Sequence, residues 1–125
     1  MLETILTPET LDEQLKSFTG SLISHPYNGS LLLSEGVHWL ARNVELRGML
    51  GFITAARRLK RVKAEAFQVF TLVVNRKARL AYVKVYDSDG VPLHGENLPY
   101  GNFPLAELTI WVIDGVAMLP GEYDY

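Results

Sequence analysis

Phe67-Gln68-Val69-Phe70-Thr71-Leu72-Val73-Val74 decides the fold class of this 125-residue chain. The stretch is dense in β-branched and aromatic residues, the types that fit a pleated, half-buried surface. From here to the C-terminus the hydrophobic rhythm has period two, whereas up to Lys63 it follows a helical repeat. Downstream, Asn75-Arg76-Lys77-Ala78 reads as a turn. In the next strand Leu80, Tyr82, Lys84 and Tyr86 alternate with Ala81, Val83 and Val85, so one face is the more polar. Asp87-Ser88-Asp89-Gly90 is a second turn, and Val91 to Leu98 a third strand. Tyr100 to Pro104 interrupts it. Leu108 to Ile113 is a strong strand, and Asp114-Gly115 turns the chain into Val116 to Leu119 as a type I′ hairpin. Pro120-Gly121 ends the fold and leaves Glu122 to Tyr125 as a tail.

Upstream the pattern is helical. Thr7-Pro8 opens a first helix with Thr7 as N-cap and Pro8 at the first helical position, and Leu11, Leu15 and Phe18 form its apolar stripe. Residues 19–30 read as a loop, since His25-Pro26 and Asn28-Gly29 are turn signals. Leu31-Leu32-Leu33 is a short strand. Val37, Leu40, Ala41 and Val44 then recur at helical spacing, a break falls near Asn43 to Glu45, and Leu46, Met49, Leu50 and Ile53 make a second stripe. Gly48 and Gly51, one turn apart, are expected to admit close packing of another element. Helices first and strands after predict an α+β fold, with the N-terminal helices on one face of an antiparallel meander sheet of about four to six strands. No linker or repeat divides the chain, so residues 1–125 read as a single domain.

Composition narrows the function. The chain has no cysteine, which excludes disulfides, thiolate nucleophiles and Cys-based zinc or iron–sulfur sites. Neither a P-loop, a dinucleotide-binding glycine fingerprint nor a nucleophile elbow occurs. His25, His38 and His94 stand at no metal-ligand spacing. Asp87-Ser88-Asp89-Gly90 has its glycine at the wrong place for a calcium loop and reads as a polar hairpin turn. No metal and no cofactor are therefore expected. The acidic N-terminus lacks a secretory pattern and no apolar run is long enough to span a bilayer, so the expected location is the cytoplasm, without membrane association.

Three surface features remain. Residues 41–63 hold seven Lys/Arg against one Glu, while the rest of the chain is acidic. Within that block Arg57, Arg58, Lys60, Arg61 and Lys63 could contact a phosphate backbone, although helix-end chemistry is the preferred explanation of such a run. No aromatic interleaves the five, so a single-strand stacking platform is not expected there. Secondly, His25 in its loop, with Tyr27 beside it, is a candidate acid/base or ligand site, against a structural role in closing the loop. Thirdly, Trp111 has the opposite strand parity to Leu108, Ile110 and Val112. With Tyr82 it could form an outward sheet face suited to an interface.

A set of short segments carries a resemblance. Phe18-Thr19-Gly20, His25-Pro26, Glu35-Gly36-Val37, Leu40-Ala41, Phe67-Gln68-Val69, Val74-Asn75, Phe103-Pro104-Leu105, Gly115-Val116 and Met118-Leu119-Pro120 together resemble a small family of uncharacterised bacterial proteins, also met in phage and plasmid settings, classed as a domain of unknown function. The resemblance runs from the first helix to Pro120. It implies a small, stand-alone intracellular protein and lends no catalytic residues; the basic run lies outside it. The leading expectation is a non-enzymatic interaction module whose partner is a protein, including a second copy of itself. The alternatives are a nucleic-acid-binding accessory protein of mobile DNA using the basic helix end, and a small-molecule or enzymatic site at the His25 loop.

Overall fold

A computed structural model describes residues 9–11, 13, 24–99 and 105–123. Among the described residues seven strands form one sheet: β1 (Ser24–Asn28), β2 (Leu31–Ser34), β3 (Phe67–Asn75), β4 (Leu80–Tyr86), β5 (Pro92–Pro99), β6 (Glu107–Ile113) and β7 (Val116–Met118). Between β2 and β3 run α1 (Glu35–Asn43), α2 (Arg47–Ala56) and the short α3 (Lys60–Lys63). The order across the sheet is β1-β2-β7-β6-β3-β4-β5.

The α+β class holds, but the sheet is mixed and has seven strands, where an antiparallel meander of four to six was expected. The meander itself is present: β3 pairs antiparallel with β4, β4 with β5, β3 with β6 and β6 with β7. The difference lies at β2, which joins β7 in parallel, with Leu32 opposite Val116 and Leu33 opposite Ala117. Pairing between strands this distant in sequence has no local signature, so periodicity alone could not place it. The second difference is β1. His25 and Pro26 lie on an edge strand and not in a loop, paired with Leu33 and Leu32. Proline lacks the N–H a central strand must donate, but an edge strand tolerates it; the register shifts between Pro26 and Asn28.

Turns follow their residues. Asp114 and Gly115 both have positive φ, 50° and 81°, as a type I′ turn requires. Asp87 Oδ1 accepts from the N–H groups of Asp89 and Val91 at 2.9 Å each, which makes this segment a self-bonded hairpin turn. Ser34 caps α1: its Oγ accepts from Val37 N at 3.2 Å, with Glu35 in the first turn and Arg42 in the last, both favourable to the helix dipole.

One sheet face is dry. Phe70, Leu72, Ala81, Val83, Val85, Leu108, Ile110, Val112 and Ala117 alternate with outward residues and are buried, as are Val37, Leu40, Leu50, Phe52, Ile53 and Val62 of the helices. Leu11, in the helical residues 9–11 and 13, is also fully buried. The remainder of that first helix and the Tyr100 to Pro104 interruption lie outside the described residues. Gly51 does not serve close packing, since it is on the exposed side of α2 and a Cβ there would meet nothing within 4 Å, whereas a Cβ on Gly48 would stand in ordinary contact with Leu98 Cδ1 of β5 at 3.5 Å. Gly51→Ala is therefore expected to raise stability by about 1 kcal/mol, because it removes backbone freedom from the unfolded chain at no steric cost; urea denaturation of the variant checks it.

Nor are Glu122 and Tyr123 part of a free tail, while Asp124 and Tyr125 lie outside the described residues. Pro120–Glu122 makes a 3-10 turn, and Glu122 is 5% exposed. Its carboxylate accepts from Ser34 Oγ at 2.6 Å, Leu119 N at 2.9 Å and Gly36 N at 3.0 Å, which fastens the C-terminal turn to the start of α1.

Candidate functional site

The face of the sheet opposite the helices is built by strand parity. Outward along β3 stand Phe67, Val69, Thr71 and Val73; along β4, Leu80, Tyr82, Lys84 and Tyr86; along β6, Glu107, Thr109, Trp111 and Ile113. Register aligns them in cross-strand rows: Tyr86–Val69–Trp111–Met118, then Lys84–Thr71–Thr109, then Tyr82–Val73–Glu107. Val73, Leu80, Tyr82 and Leu32 are 50%, 47%, 39% and 36% exposed, a large apolar display for one surface. Trp111 is half-buried against Phe67 and Tyr123, with ring centroids 5.1 and 5.8 Å away. Tyr82 lies over the edge strand so closely that a Cβ on Gly95 would come within 2.5 Å of its hydroxyl oxygen. Lys84 Nζ sits 5.7 Å from the Tyr82 ring and 5.9 Å from that of Tyr86, a cation held over two aromatic faces. Lys84 and Glu107 are the charged residues among the described outward positions of β3, β4 and β6. The two outward candidates read from the sequence, Tyr82 and Trp111, thus belong to one surface, on β4 and β6 either side of β3.

Two of the five cations, Arg57 and Arg61, are turned to backbone carbonyls. The run lies beyond the end of α2, whose last turn holds no basic residue, and winds into α3. Arg57 NH1 donates back to the Ser30 carbonyl, while Arg61 Nε reaches in another direction to the Leu93 carbonyl on β5. Arg58, Lys60 and Lys63 are exposed. Arg57 and Lys63 meet instead at a cleft of about 250 Å³, with Glu65, Gln68 and Asp114 among its other lining residues.

His25 is engaged within the fold. Its ring stacks on His38 of α1 at 3.8 Å between centroids and 9° between planes, and its Nε2 lies 2.6 Å from Glu35 Oε1. These contacts tie edge strand β1 to the first turn of α1. Partial burial, the neighbouring His25 and then Arg42 hold the His38 imidazole below its ordinary pKa, with Glu35 opposing. Tyr27 is 41% exposed on the same strand. Among the described residues no group of three His, Asp or Glu is placed to hold a metal ion, and no helix is long and apolar enough to cross a membrane.

Gln68 is the residue that sequence patterning passed over, although the signal was there: a lone amide at the parity of Phe70 and Leu72. It is 4% exposed, and its Nε2 donates to the carbonyls of Val62 and Glu65 at 2.8 and 3.0 Å.

A family model described as "Family of unknown function (DUF6876)" matches residues 9–123. Neither the curated proteins nor the solved structures contain a match.

Proposed function

The chain belongs to DUF6876, a family of unknown function, and from that premise we propose that it is a non-enzymatic interaction module that pairs with a second copy of itself through the outer face of its sheet. The observation that carries this is the row structure of that face, where Val73, Leu80 and Tyr82 stay exposed beside Trp111 and Tyr86. Strands about 4.8 Å apart and about 3.3 Å per residue give seven strands a face roughly 30 Å by 20 Å. Its accessible surface is on the scale of the ~800 Å² per partner that a stable interface buries.

Charge placement favours self-pairing over a foreign partner. Lys84 on β4 and Glu107 on β6 flank β3, at the levels of Thr71 and Val73. A two-fold axis along β3 brings Lys84 of one copy beside Glu107 of the other, and the reverse contact follows by symmetry. Lys84→Glu is expected to weaken the dimer at least tenfold, as is Glu107→Lys, because each opposes like charges across an apolar face. The Lys84→Glu/Glu107→Lys exchange is expected to restore most of the lost affinity. Sedimentation equilibrium measures all three, with far-UV circular dichroism as the check on folding; an exchange no better than the single variants contradicts the proposed axis.

A nucleic-acid role has less support, because Arg57 and Arg61 are turned to carbonyls on different sides of the helical segment. A ligand site at His25 has less still, since the described cleft lies elsewhere and His25 is engaged with His38 and Glu35.

A further inference from the structure

Edge strand β1 has a slender hold on the rest of the fold. Ser24, Pro26, Tyr27 and Asn28 are exposed, and His25 alone in the strand is half-buried. The ladder to β2 is weakened at its middle, because Pro26 has no N–H to donate and the register shifts just after it. At the hairpin tip Asn28 Nδ2 donates to Thr54 Oγ1 of α2 at 3.0 Å, and Arg57 NH1 donates to the Ser30 carbonyl. Along the strand itself the tie to the helices is His25. It pairs with the buried Leu33 and so faces the helix side, where it stacks on His38 and meets Glu35. A strand with so few buried side chains belongs to the part of a fold that opens locally at low cost. A change of charge within the histidine stack can therefore move that opening equilibrium.

The rings lie face to face, with centroids 3.8 Å apart and planes within 9°, so that two neutral imidazoles attract and two imidazolium cations repel. Among the described residues the carboxylate at the stack is Glu35, 2.6 Å from His25 Nε2. It offsets a charge on His25. A charge on His38 meets His25 of β1 and Arg42, one turn along α1, with Glu35 opposing. The other strands packed on α1, β2 and β7, have no ionisable side chain. Arg47, at the start of α2, is paired with Glu45 at 3.2 Å, with Tyr27 of β1 acting on it as well. While the stack is closed, burial first, then His25 and Arg42, hold the His38 imidazole below its ordinary pKa. Opening returns it to water and to the ordinary value, about 6.5. The open form thus takes the proton more readily, and opening is favoured as pH falls below about 6.5, not as it rises.

We propose that the His25–His38 stack is an acid-opened latch: with at most one ring charged it holds β1 against α1, and with both charged it releases the strand and frees the edge of β2. The stack lies on the helix side of the sheet. The latch therefore stands whether or not the chain self-associates through the outer face.

The test is amide hydrogen exchange of the full chain, read by NMR from about pH 7.5 to about pH 5 and corrected for the intrinsic pH dependence of exchange. Protection of the amides that join β1 to β2 is expected to fall several-fold on acidification, while β3, β4 and β6 keep theirs. His38→Phe keeps a flat ring to stack on and cannot take a charge. It is expected to retain β1 protection at about pH 5. Glu35→Gln removes the carboxylate that opposes the repulsion and is expected to deepen the loss. The unmodified chain is decisive even without a folded His38→Phe variant. Protection in β1 that falls no more than in β3, or that is lost in all strands together, overturns the proposal. So does an undiminished loss in folded His38→Phe, or a loss in Glu35→Gln no deeper than in the unmodified chain.

Discussion

Glu122→Ala is expected to lower unfolding stability by about 2–4 kcal/mol, seen as a lower urea midpoint at unchanged slope. The size follows from what the carboxylate leaves behind. Ser34 Oγ, Gly36 N and Leu119 N all donate to it inside the fold, and alanine offers them nothing. Hydrogen bonds to a charged acceptor contribute about 1.5–3 kcal/mol each, and burying their abandoned donors adds to the loss. Some recovery is expected, since Ser34 Oγ still caps Val37 N. The adjoining Gly36 has the matching sensitivity: a Cβ there would stand 2.6 Å from Glu122 Oε1 and 2.7 Å from Leu119 Cδ1, closer than any real contact. A Glu122→Ala loss below about 0.5 kcal/mol, the scale of an ordinary surface substitution, would mean that the C-terminal turn does not hold α1 to the sheet.

Phe70→Ala is expected to cost about 3–5 kcal/mol, the largest effect of any single truncation considered. Phe70 is fully buried on β3, the central strand of the meander, and its ring meets Phe52 of α2 edge-on at 6.0 Å and 81°. Removing it leaves a cavity that strand and helix cannot both close, since β3 is held by β4 on one side and β6 on the other. A double-mutant cycle with Phe52→Leu is expected to show a coupling of about 0.5–1.5 kcal/mol from the aromatic pair beyond area burial. Additive losses would place the two rings out of contact.

Which parts of this were legible in the sequence follows from how local their causes are. The alternation in β3 and β4, the Asp114-Gly115 turn and the helical stripes of α1 and α2 each arise from neighbours within a few residues, and each is present. The β1 strand was hidden because His25-Pro26 carries a turn signal that only an edge position can override. The parallel β2–β7 pair and the Glu122 anchor join residues far apart in the chain, and no periodicity reports such contacts. Parity placed Trp111 and Tyr82 outward correctly, since a strand alternates whatever its partners are. The directions within the basic run were not legible, because the turn at residues 57–59 sends Arg57 and Arg61 to different carbonyls. The cleft needed both helix end and sheet end in place before Arg57 and Gln68 could be seen to share it.

Self-pairing through the sheet face opposite the helices is most directly tested by sedimentation equilibrium of the unmodified chain over a hundredfold range of concentration, at two salt levels. The expected result is a reversible shift from one to two chain masses, weakened only modestly by salt because apolar rows supply most of the attraction and Lys84–Glu107 the alignment. A single chain mass at every concentration, or assembly that survives with Val73 and Tyr82 both changed to arginine, would contradict it.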